Sequence, residues 1–173
     1  MIFKLETERL ILREIEESDL NEMYSLDSNE EVQKYIGNQP ISGMDEAYRR
    51  IINVKEQYSL YGIGRWAVEL KSSKKFIGWS GLKLYTESMN GHRGFYELGY
   101  RFLPEYWGYS YATEAANALI NYGFSSLNLP TIYAITHFDN IKSQRVLEKV
   151  GFVYVETFQH EGELTKWYKI DKN

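Results

Sequence analysis

The segment from Tyr96 to Phe124, YELGYRFLPEYWGYSYATEAANALINYGF, most constrains what this chain can fold into. It begins with a strand-like run, passes through Pro104 into a turn that contains Gly108 and Ser110, and then becomes helical. The apolar residues of that helix follow the spacing of one helix face: Ala112, Ala115, Ala116, Leu119, Ile120 and Phe124. A strand, a turn of small residues and a helix N-terminus can together bind phosphate, because backbone N–H groups and the helix dipole face the ligand.

The rest of the chain predicts a mixed sheet built from hairpins and crossover helices. Strand patterns occur at 9–15, 65–70, 76–84, 95–103, 131–136, 152–158 and 164–170. The Asn90-Gly91 pair between the third and fourth of these predicts the tip of a hairpin. Helical patterns occur at about 19–26, 44–61, 112–124 and 141–150, with Ser18 and Asn140 as N-caps and Gly62 and Gly151 as stops. This order indicates an α+β, or mixed α/β, fold in a single domain that spans residues 1–173.

Composition excludes several classes of function. The formal net charge of −4, without a block of Lys or Arg, argues against a nucleic-acid or membrane-surface binder. The absence of cysteine excludes disulfides, thiolate metal sites and a cysteine nucleophile within the chain. The N-terminal residues are charged too early for a signal peptide, so we expect a cytoplasmic protein with no metal cofactor.

Two segments, LPEYWGYSYATEA and TIYAITHFDNIKSQRVLEKVGF, resemble the GCN5-related N-acetyltransferase (GNAT) superfamily. The opening TERLILREIEESDL and the strand FIGWSGL are most similar to its branch of ribosomal-protein N-terminal (RimJ/RimL-like) acetyltransferases. The resemblance implies a twisted, mostly antiparallel sheet of about 6–7 strands, flanked by about four helices. In such a fold the strands at 96–103 and 131–136 are parallel and splayed, and acetyl-CoA is the co-substrate.

The resemblance assigns the pyrophosphate of coenzyme A to the turn before the long helix. The family pattern Gln/Arg-x-x-Gly-x-Gly/Ala falls on Glu105, Gly108 and Ser110, so two of the three positions depart from it. If the backbone at the third position has positive φ, serine has a higher conformational energy there than glycine. The residues whose N–H groups would hold the pyrophosphate are Trp107, Gly108, Tyr109, Ser110, Tyr111 and Ala112.

The same resemblance implies that the pantetheine arm lies in the gap between the splayed strands. Main-chain groups near Tyr100, Phe102 and Leu103 would then bind the arm and polarise the thioester carbonyl.

Asn140 and Ser143 carry the remaining part of the resemblance. Asn140 is expected to bind a pantetheine amide, and Ser143 to lie near the sulfur and protonate the leaving thiolate. Many relatives instead use a tyrosine four residues before the Gly-Phe pair, where this chain has Leu147. A helix N-cap followed by a polar residue in the first turn would explain the pair without a ligand, and both roles can coexist.

Three residues are candidates for the general base that removes a proton from the acceptor amine. Glu97 on the fourth strand is the first, His137 after the fifth strand is the second, and Glu69 is the third. Each could equally be a solvated residue or a residue at the sheet edge. An α-amino group has a pKa of about 7.7–8.0 and needs less help than a lysine amine at about 10.4.

We therefore expect an acetyl-CoA-dependent N-acetyltransferase that transfers the acetyl group by direct attack in a ternary complex. The acceptor would be a protein N-terminus, a polyamine or another small-molecule amine, and the protein a monomer or homodimer. A non-catalytic acyl-CoA-binding sensor on the same fold is the alternative, and a nucleotide- or phosphate-binding domain is a third interpretation. The resemblance implies that the acceptor is selected by the first helices and two loops, here roughly residues 20–60, 84–94 and 158–163. Acidic residues in the first of these segments could attract a cationic amine or form a solvated surface: Asp27, Glu30, Glu31, Asp45 and Glu46.

Overall fold

The computed structural model describes residues 3–172, and within this range eight strands form one sheet with five α-helices around it. The strands are β1 (Lys4–Glu6), β2 (Leu10–Glu14), β3 (Arg65–Leu70), β4 (Phe76–Tyr85), β5 (Phe95–Phe102), β6 (Thr131–His137), β7 (Val153–His160) and β8 (Glu163–Asp171). The helices are α1 (Leu20–Asp27), α2 (Glu30–Gln33), α3 (Met44–Tyr61), α4 (Tyr111–Ser125) and α5 (Ile141–Lys149). The strand order is β1-β2-β3-β4-β5-β6-β8-β7.

The sheet separates two layers of helices. On one face, α4 and α5 pack their apolar stripes on the sheet, with Leu119, Leu147 and Leu98 in the main core. On the other face, α1 and α3 cover a smaller core that includes Leu26 and Ile51. Because strand side chains alternate between faces, neighbouring residues of β5 contribute to different layers.

The parallel pair in the middle of the sheet confirms the splayed strands that the resemblance implied. β5 pairs with β4 along its whole length, from Gly78↔Phe102 to Tyr85↔Phe95. With β6, however, it shares a single register position, Glu97↔Tyr133. The two strands therefore separate toward their C-terminal ends, and the sheet opens into a gap beyond this position.

The described residues contain one strand and one helix more than the upper end of the sequence prediction. Both β1 and α2 are only three to four residues long, which is too short for an apolar periodicity to develop. Ser18 is not the N-cap of α1: it lies in the 3₁₀ turn Glu17–Asp19, and Asp19 is at the cap position. The Asp19 carboxylate accepts from the Glu16 N–H at 2.8 Å and pairs with Arg13 at 2.7 Å, which fixes this turn.

The other local predictions of caps and turns are confirmed. Asn90 and Gly91 have φ of 48° and 74° at the tip of the β4–β5 hairpin. Gly62 is the left-handed C-cap of α3, and Asn140 caps α5 by accepting from the Ser143 N–H at 3.2 Å. Between residues 3 and 172, no helix has the length and apolar character needed to cross a membrane.

Candidate active site

The loop from β5 to α4 is held by its own backbone and by one indole. A 3₁₀ turn at Pro104–Tyr106 closes with Trp107 donating its N–H to the Pro104 carbonyl at 3.1 Å. The Trp107 Nε1 donates to the Phe102 carbonyl at 2.7 Å and fixes the loop to the end of the strand. Gly108 then has φ of 83° and Ser110 φ of 64°, so the chain turns into the helix through two left-handed residues.

This turn exposes a run of free donors. The first N–H of α4 with a backbone partner is that of Glu114, which donates to the Ser110 carbonyl at 3.0 Å. In the described part of the chain, the N–H groups from Gly108 to Thr113 donate to no protein acceptor. Open space surrounds the position where a Cβ of Gly108 would lie. Such a concave row of N–H groups at a helix N-terminus fits a pyrophosphate.

The acidic residue in the first turn of α4 points away from that row. The Glu114 carboxylate accepts from the Thr7 hydroxyl at 2.5 Å, from the Arg9 N–H at 2.8 Å and from the Arg9 Nε at 2.7 Å. Partial burial opposes ionisation, but these hydrogen bonds together hold the pKa of Glu114 below its ordinary value. The carboxylate therefore ties α4 to the β1–β2 turn and leaves the anion-binding side of the helix open.

The ladder between β4 and β5 determines which N–H groups of β5 face the gap. Leu103 donates its N–H to the Ile77 carbonyl of β4 at 3.0 Å. The sequence placed this N–H among the cofactor contacts, but it is already engaged within the sheet. Because N–H directions alternate along a strand, those of Tyr100 and Phe102 point away from β4, toward the gap.

Two hydroxyl groups meet across the gap on the α5 side. The Tyr100 hydroxyl lies 3.0 Å from Ser143 Oγ and 3.1 Å from the Ser143 carbonyl oxygen. Burial raises the pKa of Tyr100, so its proton is retained at neutral pH. The sequence predicted a role only for the backbone of Tyr100. In the structure its phenol lies beside Ser143 and supplies a hydroxyl group that Leu147 does not have. The signal lay in the alternation of β5, which puts residue 100 on the same face as α5.

The three candidate bases lie in different surroundings. Glu97 is buried on the opposite face of β5, where its carboxylate is paired with Arg65. His137 accepts from the Asp139 N–H at Nδ1, at 3.1 Å, and its Nε2 lies 2.6 Å from the Glu163 carboxylate. Glu69 is bound by Arg13 at 2.6 Å.

A cleft of about 440 Å³ opens on the face of the sheet that carries Glu97. It reaches β5 at Arg101, the residue between Tyr100 and Phe102, so it approaches the gap from the side opposite Ser143. Its walls come from α1, α3, the strands β3 to β5 and the residue that follows β2: Ile15, Met23, Asp27, Glu46, Arg49, Arg50, Asn53, Val54, Arg65, Trp79 and Arg101.

The sequence reasoning missed the arginines of this cleft. The one local signal of this cleft in the sequence is the alternation Glu97-x-Gly99-x-Arg101 on β5, which places two charged side chains on the same face of the strand. Within residues 3–172, no cluster of three or more histidines or carboxylates is arranged to hold a metal ion.

Comparison with known proteins agrees with this geometry. The acetyltransferase (GNAT) domain family matches residues 9–153. The N-acetyltransferase YoaA of Bacillus subtilis is 34% identical, with 94% of this chain and 86% of YoaA aligned. Spermidine N(1)-acetyltransferase of Escherichia coli K12 is 29% identical over 91% of this chain and 80% of its own length.

A solved structure of a spermidine N-acetyltransferase from Vibrio cholerae, in complex with CoA and spermine, superposes with a TM-score of 0.74 at 25% identity. The superposition covers 95% of this chain and 96% of that one. The family match extends over most of the chain and includes β5, the turn at Gly108, α4 and α5. The chain therefore belongs to the GNAT acetyltransferase family, and it is an acyltransferase.

Proposed function

We propose that this protein transfers the acetyl group of acetyl-CoA to a primary amine by direct attack in a ternary complex. The observation that carries the proposal is the row of free N–H groups from Gly108 to Thr113 at the edge of the gap between β5 and β6. Hydroxyl groups lie on one side of this gap and the cleft on the other, so donor and acceptor can approach from opposite faces.

The donor side of the site fits acetyl-CoA. The turn from Gly108 to Ala112 would hold the pyrophosphate through its N–H groups, and the N–H groups of Tyr100 and Phe102 would hold the thioester oxygen. The N–H of Trp107, which the sequence placed in the same row, is already engaged by the Pro104 carbonyl. Asn140 uses Oδ1 for the cap of α5, which leaves its Nδ2 as the donor for a pantetheine carbonyl. Acetyl-CoA itself supplies an activated acyl group on a thiol of ordinary pKa about 8.5.

Tyr100 and Ser143 form the acid of the proposed reaction. The Tyr100 hydroxyl has two acceptors on Ser143, the carbonyl oxygen at 3.1 Å and Oγ at 3.0 Å. When it donates to Oγ, the Ser143 proton is free to reach the leaving sulfur. The raised pKa of Tyr100 keeps the pair protonated, so the phenol serves to orient the serine. The hydroxyl groups of Tyr100 and Ser143 would then take the role of the tyrosine that many relatives carry at the position of Leu147.

Glu97 stays our first candidate for the base by its position alone, because it lies on the cleft side of β5 where the gap begins. Its carboxylate is buried and paired with Arg65, so it would have to leave this partner to accept a proton. His137 is less suited, since both ring nitrogens already have partners. Glu69 lies on β3, is bound by Arg13 and does not line the cleft.

The relatives that act on spermidine support a primary amine as acceptor. Assignment to the ribosomal-protein branch, a cytoplasmic location, a single catalytic domain and a monomeric or homodimeric state stay predictions from the sequence.

Two measurements test the proposal. Titration calorimetry with acetyl-CoA should show stoichiometric binding, and thiol release across a panel of amines should show turnover. Absence of binding would overturn the proposal. Tight binding without turnover of any amine or N-terminal peptide would instead support the acyl-CoA sensor.

Variants of the hydroxyl pair test the acid. Ser143→Ala and Tyr100→Phe should each lower kcat roughly 10-fold to 100-fold and leave acetyl-CoA affinity within about twofold. Tyr122→Phe is the matched control, since it removes a phenol on α4 outside this pair. Unchanged turnover in Ser143→Ala would show that the leaving thiolate needs no acid from this residue.

A further inference from the structure

We propose that the acceptor amine carries a carboxylate, and that the arginines of the cleft bind this carboxylate while the amine faces the gap. The inference rests on the proposed acetyl transfer and adds the chemical class of the acceptor. The observation behind it is the set of guanidinium groups that line the cleft beside β5: Arg49, Arg50, Arg65 and Arg101.

Two of these guanidinium groups are fixed on one indole. The Cζ atoms of Arg65 and Arg101 each lie 5.1 Å from the ring centroid of Trp79. Arg65 also donates to the carbonyls of Gly81 and Glu97 at 3.1 Å, so its guanidinium lies flat across β4 and β5. Gly99 makes this possible, because a Cβ at its position would lie 2.8 Å from the Arg65 Cζ. The cationic floor of the cleft is therefore preorganised.

The carboxylates beside the cleft are largely paired with its arginines. Asp27 is 1% exposed and is shared by Arg50, at 3.0 Å, and Arg101. Glu97 is paired with Arg65. Of the five acidic residues that the sequence suggested as an attraction for a cationic amine, Asp27 is thus buried and neutralised. Glu30, Glu31 and Asp45 are exposed, and Glu46 lines the cleft.

Positive charge remains after these pairs are counted. Among the described residues, the four guanidinium groups face the carboxylates of Asp27, Glu97 and Glu46. Lys83, which is cross-strand to Glu97 and on the same face, adds another cation. Burial is the main cause that lowers the pKa of Lys83, repulsion from Arg65 adds to it, and the carboxylates of Glu97 and Glu87 oppose it. A polyamine would add further cations to this surface, whereas a carboxylate would relieve the repulsion.

The arginines of the cleft differ in how far a ligand can reach them. Arg101 is paired with the buried Asp27, and its Nε, which has no acceptor in the described part of the chain, is also closed to solvent. A carboxylate can form two parallel hydrogen bonds with one guanidinium, which makes an exposed arginine a suitable partner for it. Arg49 is exposed on α3, lines the same cleft and makes no ion pair with any described residue. A cleft of about 440 Å³ accommodates a small molecule that bridges these groups and the gap.

The reaction balances with such an acceptor. The amine nitrogen forms the bond to the acetyl carbon, the carbon–sulfur bond breaks, the amine loses a proton and the thiolate gains one. The carboxylate takes no part in these steps and serves to position the amine.

The test compares amines that differ in one group. Glycine with glycinamide, β-alanine with its amide and 4-aminobutyrate with its amide each exchange the sole carboxylate of an amine for a carboxamide, and spermidine represents the cationic amines. We expect kcat/KM to be at least tenfold higher for the carboxylate member of the preferred pair. Turnover of spermidine or neutral amines with a ratio of one or less would overturn the inference and keep the proposed function. Absence of transfer to every amine would overturn both.

Arg49 offers the cleanest variant, because no buried partner depends on it. Arg49→Gln should lower the carboxylate-to-carboxamide ratio of kcat/KM about tenfold, and Arg49→Glu should in addition raise kcat/KM for spermidine relative to the unchanged protein. Lys75→Gln, outside the cleft, removes the same charge and should leave the ratio unchanged. An equal fall of the ratio in Lys75→Gln would assign the effect to overall charge and overturn a specific site.

Discussion

At the scale of single residues, Ser110 shows how the loop tolerates a departure from the family pattern. Its φ of 64° lies in the left-handed region, which costs an L-residue roughly 1–2 kcal/mol relative to glycine. Its side chain makes no capping hydrogen bond to α4, so nothing in the described contacts offsets this cost.

We therefore expect Ser110→Gly to stabilise the fold by about 0.5–1 kcal/mol, after allowing for the greater chain entropy of glycine when unfolded. Chemical denaturation gives the free energy of unfolding. Gly108→Ala is the converse variant and should destabilise the protein, since φ is 83° there. A neutral or destabilising Ser110→Gly would show that the serine has a partner in solution.

Asn140 combines two roles that substitution can separate. Its Oδ1 caps α5, and its Nδ2 is proposed to bind pantetheine. Asn140→Asp keeps an acceptor for the cap and removes the donor, so stability should change by less than about 0.5 kcal/mol while acetyl-CoA affinity falls. Asn140→Ala should lose both, with about 1 kcal/mol of stability. Calorimetry and denaturation on the two variants provide the comparison, and full affinity in Asn140→Asp would leave the residue only its capping role.

At the scale of elements, Glu114 connects α4 to the β1–β2 turn and makes this contact depend on pH. Hydrogen bonds from Thr7 and Arg9 outweigh burial and lower the pKa of Glu114 in the folded chain. The ionised carboxylate therefore adds stability above the pKa of the unfolded chain, and this contribution is lost as pH falls through the folded-state value.

Glu114→Gln should accordingly cost about 1–2 kcal/mol at pH 7, because it weakens hydrogen bonds to a charged group. The difference from the unchanged protein should shrink as the pH is lowered below about 4, as denaturation at several pH values would reveal. Glu8→Gln, an exposed carboxylate in the same turn, is the control. A pH-independent difference would mean that shape, and not charge, holds this contact.

Features that depend on a few neighbouring residues were predictable from the sequence, whereas contacts between distant elements were not. The apolar spacing of α4, the Asn90-Gly91 turn and the Asn140 cap are local signals, and all three are confirmed. The pairing of Tyr100 with Ser143 joins residues 43 positions apart and depends on strand register, which no local pattern specifies. The arginine cleft was missed for the same reason, since Arg65, Arg101 and Asp27 meet only after the sheet and α1 are assembled.

At the scale of the whole molecule, ligand binding and stability are coupled across the middle of the sheet. A ligand at 100 times its Kd stabilises the folded state by about 2.7 kcal/mol. For a chain of this size each kcal/mol corresponds to about 2–4 °C. Acetyl-CoA at that concentration should therefore raise Tm by about 5–10 °C.

A thermal scan with and without ligand measures this shift, and amide hydrogen exchange should locate the protection in β5, β6 and α4. Free acetate serves as a control, because it lacks the pyrophosphate and the arm. Protection confined to the β7–β8 hairpin would be inconsistent with the proposed position of the ligand.

The single register position shared by β5 and β6 has one more consequence. Unpaired strand edges commonly recruit other chains and promote aggregation, yet here two such edges face each other inside a sheet, close to α4 and α5. A peptide strand carries side chains every 3.3 Å or so and would clash with these walls, whereas a slender amide chain without side chains can enter. The opening thus acts as a steric filter, which lets the protein keep unpaired backbone groups at its centre without offering them to its neighbours.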